Sequence, residues 1–179
     1  KQLESLPVEI KAKAAVLMEV SSGKVLMEYN PDTKLFPASV TKIMTMLLVC
    51  EAIDRNEITL DTVITASERA KSMGGSTIFL DTNEKMTLDD LLKGIAVASA
   101  NDACVALGEL IAGSEEGFVA LMNERAKELG MNNTTFINCT GLDAKGHLTS
   151  AHDVGIMSCE LIKHDLIKQY STVWMDSLR

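Results

Sequence analysis

The stretch Pro37-Ala-Ser-Val-Thr-Lys-Ile-Met-Thr45 sets a serine three residues ahead of a lysine, where a proline-marked loop gives way to a long apolar segment. On a helix, positions i and i+3 share a face one turn apart, so Ser39 and Lys42 can bring a hydroxyl and an amine within hydrogen-bond reach. Such a lysine is a base only when neutral. Free lysine titrates at about 10.4, and bringing it to about 7 takes roughly 4–5 kcal/mol of differential destabilisation of the cation, through desolvation or a nearby positive charge. A helix buried on all sides supplies the desolvation, and its N-terminus offers N–H donors and a positive dipole end to a developing oxyanion. The same residues also have a purely architectural reading, with Ser39 as an N-cap and Lys42 as a solvated cation. A second S-x-x-K, Ser21-Ser-Gly-Lys24, reads as a hairpin turn.

Sixty residues after Ser39 stands Ser99-Ala-Asn101, the only S-x-N in the chain. A second hydroxyl can relay a proton to a leaving amine, and an asparagine amide can both accept from a lysine and donate to a substrate carbonyl. As architecture alone, the two side chains would cap helices at a junction.

The elements that must position these groups can be read from patterning. Residues 14–20 and 24–29 form two strands around a turn in which Gly23 supplies a positive φ, giving one hairpin. From Ser39 onward Ile43, Met44, Met46, Leu47, Leu48, Val49, Cys50 and Ile53 are apolar on almost every face, which predicts a helix inside a core. Thr87-Leu-Asp-Asp90 resembles a capping box and starts a helix through Ala98. A second helix spans 102–111, which puts Ser99-Ala-Asn101 at a helix-to-helix junction. Ser114 caps a helix bearing Phe118, Leu121, Met122, Arg125 and Leu129, with Gly130 as its stop signal. Ser150-Ala-His-Asp153 opens another, with Val154, Met157, Leu161 and Ile162 on one face.

A chain of 179 residues with 46% hydrophobic content makes one well-buried domain. Net charge is −8 with no basic cluster, so a nucleic-acid or anionic-membrane footprint is missing. No apolar run reaches the 18 or so residues of a membrane span. The opening Lys1-Gln-Leu-Glu lacks the features of a signal peptide, as a mature chain would. Cys50, Cys104, Cys139 and Cys159 stand singly in apolar surroundings and read as buried free thiols.

Ser39-Val-Thr-Lys42 and Ser99-Ala-Asn101, flanked by "GGSTIFL" (74–80), "SANDAC" (99–104) and "NTTFINCTGLDAKG" (133–146), resemble the low-molecular-mass penicillin-binding proteins, in particular their serine D-alanyl-D-alanine carboxypeptidases. The resemblance implies an α+β fold of the β-lactamase/transpeptidase kind, a mainly helical body packed on an antiparallel sheet whose first two strands lie here. It implies Ser39 as nucleophile, Lys42 as base, Ser99 as proton relay to departing D-alanine, and Asn101 as the group holding Lys42 and the substrate amide. The loop beginning Gly74-Gly75-Ser76 would lie beside the site. The implied partners are peptidoglycan stem peptides ending in D-Ala-D-Ala and β-lactams, with no cofactor or metal, in an extracytoplasmic setting and often with a C-terminal membrane-associating segment.

Two departures qualify the resemblance. The family's third motif, K-T-G, occurs nowhere in these 179 residues, which reads as a domain incomplete at its C-terminal end, and Thr140 stands where some relatives carry histidine, so it is assigned no role. Among alternatives, a class A β-lactamase needs a glutamate for its deacylating water, and Asp143 is the only acid in residues 132–146. A Ser-His-Asp hydrolase lacks its G-x-S-x-G elbow, and a metal site lacks paired ligands; His147, His152 and His164 read as surface residues. A non-catalytic module that kept the fold is the remaining alternative.

Overall fold

The expected hairpin forms, with β1 (Ala15–Met18) antiparallel to β2 (Val25–Tyr29) and Ala15 opposite Tyr29. The protein is described here from a computed structural model over residues 11–173; the Lys1-Gln-Leu-Glu opening and the closing Trp174–Arg179 segment lie outside the described residues. The strands are shorter than the apolar runs because the chain already turns at Glu19. Gly23, at φ +67°, donates its N–H to the Glu19 carbonyl at 2.8 Å, and the Ser21 and Ser22 hydroxyls both donate to the Glu19 carboxylate. The second S-x-x-K is thus turn chemistry.

Beyond Pro37 the chain forms a 3-10 turn over Ala38–Thr41 before α1 (Lys42–Asp54) begins. This corrects the expectation that Ser39 opens the α-helix itself. The Lys42 N–H donates to the Ser39 carbonyl, an i to i−3 bond, and no side chain caps either segment. Nine of the thirteen residues of α1 are buried, as its all-round apolar pattern predicts.

A second small sheet was not anticipated: β3 (Val63–Thr65) pairs antiparallel with β4 (Lys85–Thr87), with the short α2 (Glu68–Lys71) between them. Three-residue strands are too short to carry an alternation signal. The Asp90 N–H then donates to Thr87 Oγ1 at 3.1 Å and that hydroxyl donates to the Asp90 carboxylate at 2.8 Å, starting α3 (Leu88–Ala98). α4 (Asn101–Ala112) follows after two residues, and α5 (Glu115–Glu128) is capped by Ser114. α6 (Ala151–Lys163), capped by Ser150, and α7 (Ile167–Ser171) complete the body.

The core joins α1 and α4 to α5 through Leu47, Val49, Cys104, Leu107, Phe118 and Met122. Gly108 lets α5 approach closely, since a Cβ there would meet the Phe118 ring at 3.0 Å. Gly155 does the same for the hairpin over α6: a Cβ would lie 2.4 Å from the Met18 sulfur. On α6, Met157 and Leu161 are buried, whereas Ile162 departs from the expected face and is half exposed. All four cysteines are buried free thiols. No helix among the described residues is long and apolar enough to cross a membrane.

Candidate active site

Ser39, Lys42, Ser99 and Asn101 line one cavity of about 180 Å³, closed by Ala38, Gly75, Ser76, Thr140, Gly141 and Leu142. The 3-10 turn is what juxtaposes the first pair. At three residues per turn, side chains at i and i+3 stack directly, whereas an α-helix offsets them. Ser39 is exposed to the cavity and Lys42 is only 5% exposed. The Ser39 N–H, opening a helical turn, is one of the donors with no partner inside the helix.

Lys42 Nζ donates to the Thr140 carbonyl oxygen at 2.7 Å. No carboxylate forms an ion pair with it among the described residues. Burial holds its pKa below the ordinary lysine range, against a smaller opposing influence from Cys104 and Cys139. The carbonyl partner was invisible to sequence reading, which gave Thr140 no role on the strength of its side chain; the contact belongs to the backbone. Asn101 departs from expectation too. Rather than holding Lys42, its Nδ2 donates to the Gly74 carbonyl at 2.8 Å, and its N–H donates to the Ser76 carbonyl at 2.8 Å. Gly75, at φ +76°, permits this approach, because a Cβ there would sit 2.9 Å from Asn101 Nδ2.

Asp102 completes the fixture of that loop. Only 1% exposed, its carboxylate accepts from the N–H groups of Ile78 (3.1 Å), Leu80 (3.0 Å) and Ala103 (2.9 Å). The two residues 101–102 therefore fasten the 74–80 segment to the start of α4. Ser99, between α3 and α4, adopts a left-handed conformation with φ +54°. Its hydroxyl makes no hydrogen bond among the described residues and faces the cavity. A serine in a conformation favoured by glycine marks a position where placement outweighs backbone comfort.

The opposite wall is the 137–147 loop. Thr45 Oγ1 donates to the Cys139 carbonyl at 2.8 Å, and the Asn138 side chain accepts from the N–H groups of Thr140 and Gly141. Gly141 has φ +89°, and a Cβ on it would fall 1.9 Å from the Ala38 carbonyl oxygen. Ala38, directly before Ser39, is itself left-handed at φ +48°. His147 is the main correction to the histidines: read as a surface residue, it is 1% exposed. Its Nδ1 accepts from the Ile137 N–H at 2.9 Å, and its Nε2 lies 2.8 Å from Thr41 Oγ1. His164 is mostly covered and contacts Asp54 at 2.6 Å; His152 remains partly exposed, as expected. The hidden partners of His147, a backbone amide and a hydroxyl 106 residues away, leave no sequence signal.

A family of D-alanyl-D-alanine carboxypeptidases matches residues 1–179. The chain is 53% identical over 169 residues to the D-alanyl-D-alanine carboxypeptidase DacF of Bacillus subtilis (strain 168), an alignment covering 94% of this chain and 43% of that protein. Penicillin-binding protein 6B from Escherichia coli superposes with a TM-score of 0.86 at 37% identity, over 92% of this chain and 54% of that one. Penicillin-binding protein D2 from Listeria monocytogenes, in an ampicillin-bound form, gives a TM-score of 0.79 at 31% identity, over 94% and 68%. The chain spans about two fifths of the length of the curated relatives it matches.

Proposed function

Because the chain belongs to the D-alanyl-D-alanine carboxypeptidase family, we propose that it carries the serine-lysine half of a penicillin-binding active site that removes terminal D-alanine from peptidoglycan stem peptides. The observation that carries the reading is Lys42: buried, hydrogen-bonded to a neutral carbonyl, and one 3-10 turn from an exposed serine. A carboxylate partner would hold the ammonium form; a carbonyl leaves deprotonation open.

In the proposed reaction, neutral Lys42 Nζ takes the Ser39 hydroxyl proton as Ser39 Oγ attacks the penultimate D-alanine carbonyl carbon. The tetrahedral oxyanion faces the Ser39 N–H. As the peptide C–N bond breaks, the proton held by the Lys42 ammonium passes by way of the Ser99 hydroxyl to the departing amine, which returns Lys42 to its neutral form and leaves an ester on Ser39 that water hydrolyses. Asn101, anchored through its Nδ2 to Gly74, has its amide oxygen to offer the substrate, a narrower role than also holding Lys42. β-Lactams, such as the ampicillin bound by the Listeria relative, would acylate the same oxygen.

The substrate places the work outside the cytoplasmic membrane. The K-T-G strand, absent from these residues, is proposed to belong to the greater length of the relatives, together with any segment that associates with the membrane. The single-domain reading likewise takes residues 1–179 as part of one catalytic domain.

The test is incubation of the full-length protein with a fluorescent penicillin, followed by peptide mass spectrometry. The reading expects an adduct on Ser39, abolished by Ser39→Ala, and release of D-alanine from diacetyl-Lys-D-Ala-D-Ala. An adduct on Ser76 or Ser99 overturns the assignment. A folded protein that forms no adduct favours the non-catalytic module.

A further inference from the structure

His147 and Thr41 form a buried contact that touches neither the cavity nor any group with an assigned role. Thr41 lies between Ser39 and Lys42 in the chain and is fully buried. The Ile137 N–H has only a proton to give, so His147 Nδ1 must be its acceptor and carries no hydrogen. The neutral ring therefore has its proton on Nε2, which donates to Thr41 Oγ1 across 2.8 Å. One imidazole thus joins two things: the two ends of the 137–147 loop, and that loop to the turn that presents the nucleophile. The Phe136 ring, 6.0 Å away between centroids, covers it.

We propose that His147, acting through Thr41, is a positioning residue that sets the Ser39–Lys42 geometry for acylation. The inference rests on the proposed function of that pair. Without the clasp, the turn and the start of α1 are held to the loop by Lys42 on the Thr140 carbonyl, by Thr45 on the Cys139 carbonyl one turn further on, and by Gly141 against Ala38. The first of these runs through the base itself, whose charge changes as it takes the proton. The His147–Thr41 contact holds the backbone between nucleophile and base through two groups that exchange no proton in that step. Displacements of about 1 Å in such a pair can cost on the order of 10²-fold in rate.

The experiment uses the full-length protein and a fluorescent penicillin, separating the binding constant from the rate constant of acylation at saturation, with a melting curve for each variant. Thr41→Val keeps shape and removes the acceptor oxygen; His147→Asn keeps an acceptor for Ile137 but does not reach Thr41. Both are expected to lower the acylation rate constant by about tenfold or more with binding little changed. Thr41→Ser, which restores the oxygen, should recover most of the rate. A rate within about twofold of wild type in Thr41→Val, or a loss in Thr41→Ser equal to that in Thr41→Val, overturns the inference. A loss confined to binding does so too. If wild-type protein takes no penicillin, the functional reading fails instead. The clasp is then judged by amide hydrogen exchange in the Ala38–Thr41 turn, where equal protection in wild type and Thr41→Val overturns it.

Discussion

Lys42 Nζ sits 2.7 Å from the Thr140 carbonyl oxygen, so the base proposed for Ser39 is held by a backbone atom 98 residues away rather than by an acid. A carbonyl accepts one hydrogen bond from either the ammonium or the neutral amine. It orients the lysine without fixing its charge, and burial then favours the neutral form.

Lys42→Arg keeps a cation and much of the aliphatic stem, but guanidinium stays protonated in proteins. Acylation by penicillin is expected to fall by at least about 10³-fold, an activated nucleophile having lost its base. The protein should still melt cooperatively. For wild type, acylation should decline as pH falls through the lowered Lys42 pKa, because protonation removes the base. Stopped-flow labelling across pH reads both effects, and an Arg variant with near wild-type rates would end the general-base assignment.

Gly141→Ala is expected to be among the most damaging small substitutions in the molecule. Its Cβ would meet the Ala38 carbonyl oxygen at 1.9 Å, a backbone atom that cannot swing aside, from a left-handed φ of +89°. The steric and conformational terms together should cost about 3 kcal/mol or more. The displaced turn carries Ser39, so penicillin labelling should be lost as well. Gly23→Ala, also left-handed but with nothing within 4 Å, serves as the control that isolates the steric term in thermal melts.

Asp102→Asn places an N–H₂ group where three backbone N–H groups converge. The unsatisfied donors should cost roughly 1–3 kcal/mol. Hydrogen exchange at Ile78 and Leu80 should accelerate while the 137–147 loop stays protected. Unchanged exchange at those two amides would mean that the 74–80 segment is held by other contacts.

His147 gives the fold an acid sensitivity. Burial lowers its pKa, with Asp143 opposing. Below about 6.5 the unfolded chain takes up a proton that the folded state resists, so stability is lost as pH falls, by at most about 1.4 kcal/mol per unit from this residue. The difference in melting between wild type and His147→Asn should therefore shrink between about pH 7.5 and about pH 5. A difference constant with pH would assign the acid sensitivity to carboxylates instead.

The sequence by itself determined the local order of the molecule. The hairpin turn at Gly23, the all-round apolar α1, and the caps Thr87, Ser114 and Ser150 depend on neighbours within a few residues, and each is found as its pattern predicts, save that α1 begins at Lys42 rather than Ser39. The three-residue spacing that brings Ser39 and Lys42 to one cavity was legible for the same reason, although the 3-10 turn that carries Ser39 was not. Tertiary structure decided who meets the other end of each side chain. Lys42 finds a carbonyl, His147 a hydroxyl and an amide, Asn101 and Asp102 the backbone of the 74–80 segment. Backbone donors and acceptors are the same at every residue type, so nothing in the sequence marks which of them a distant side chain will reach. Only the packed chain, by excluding water from those atoms, makes the choice.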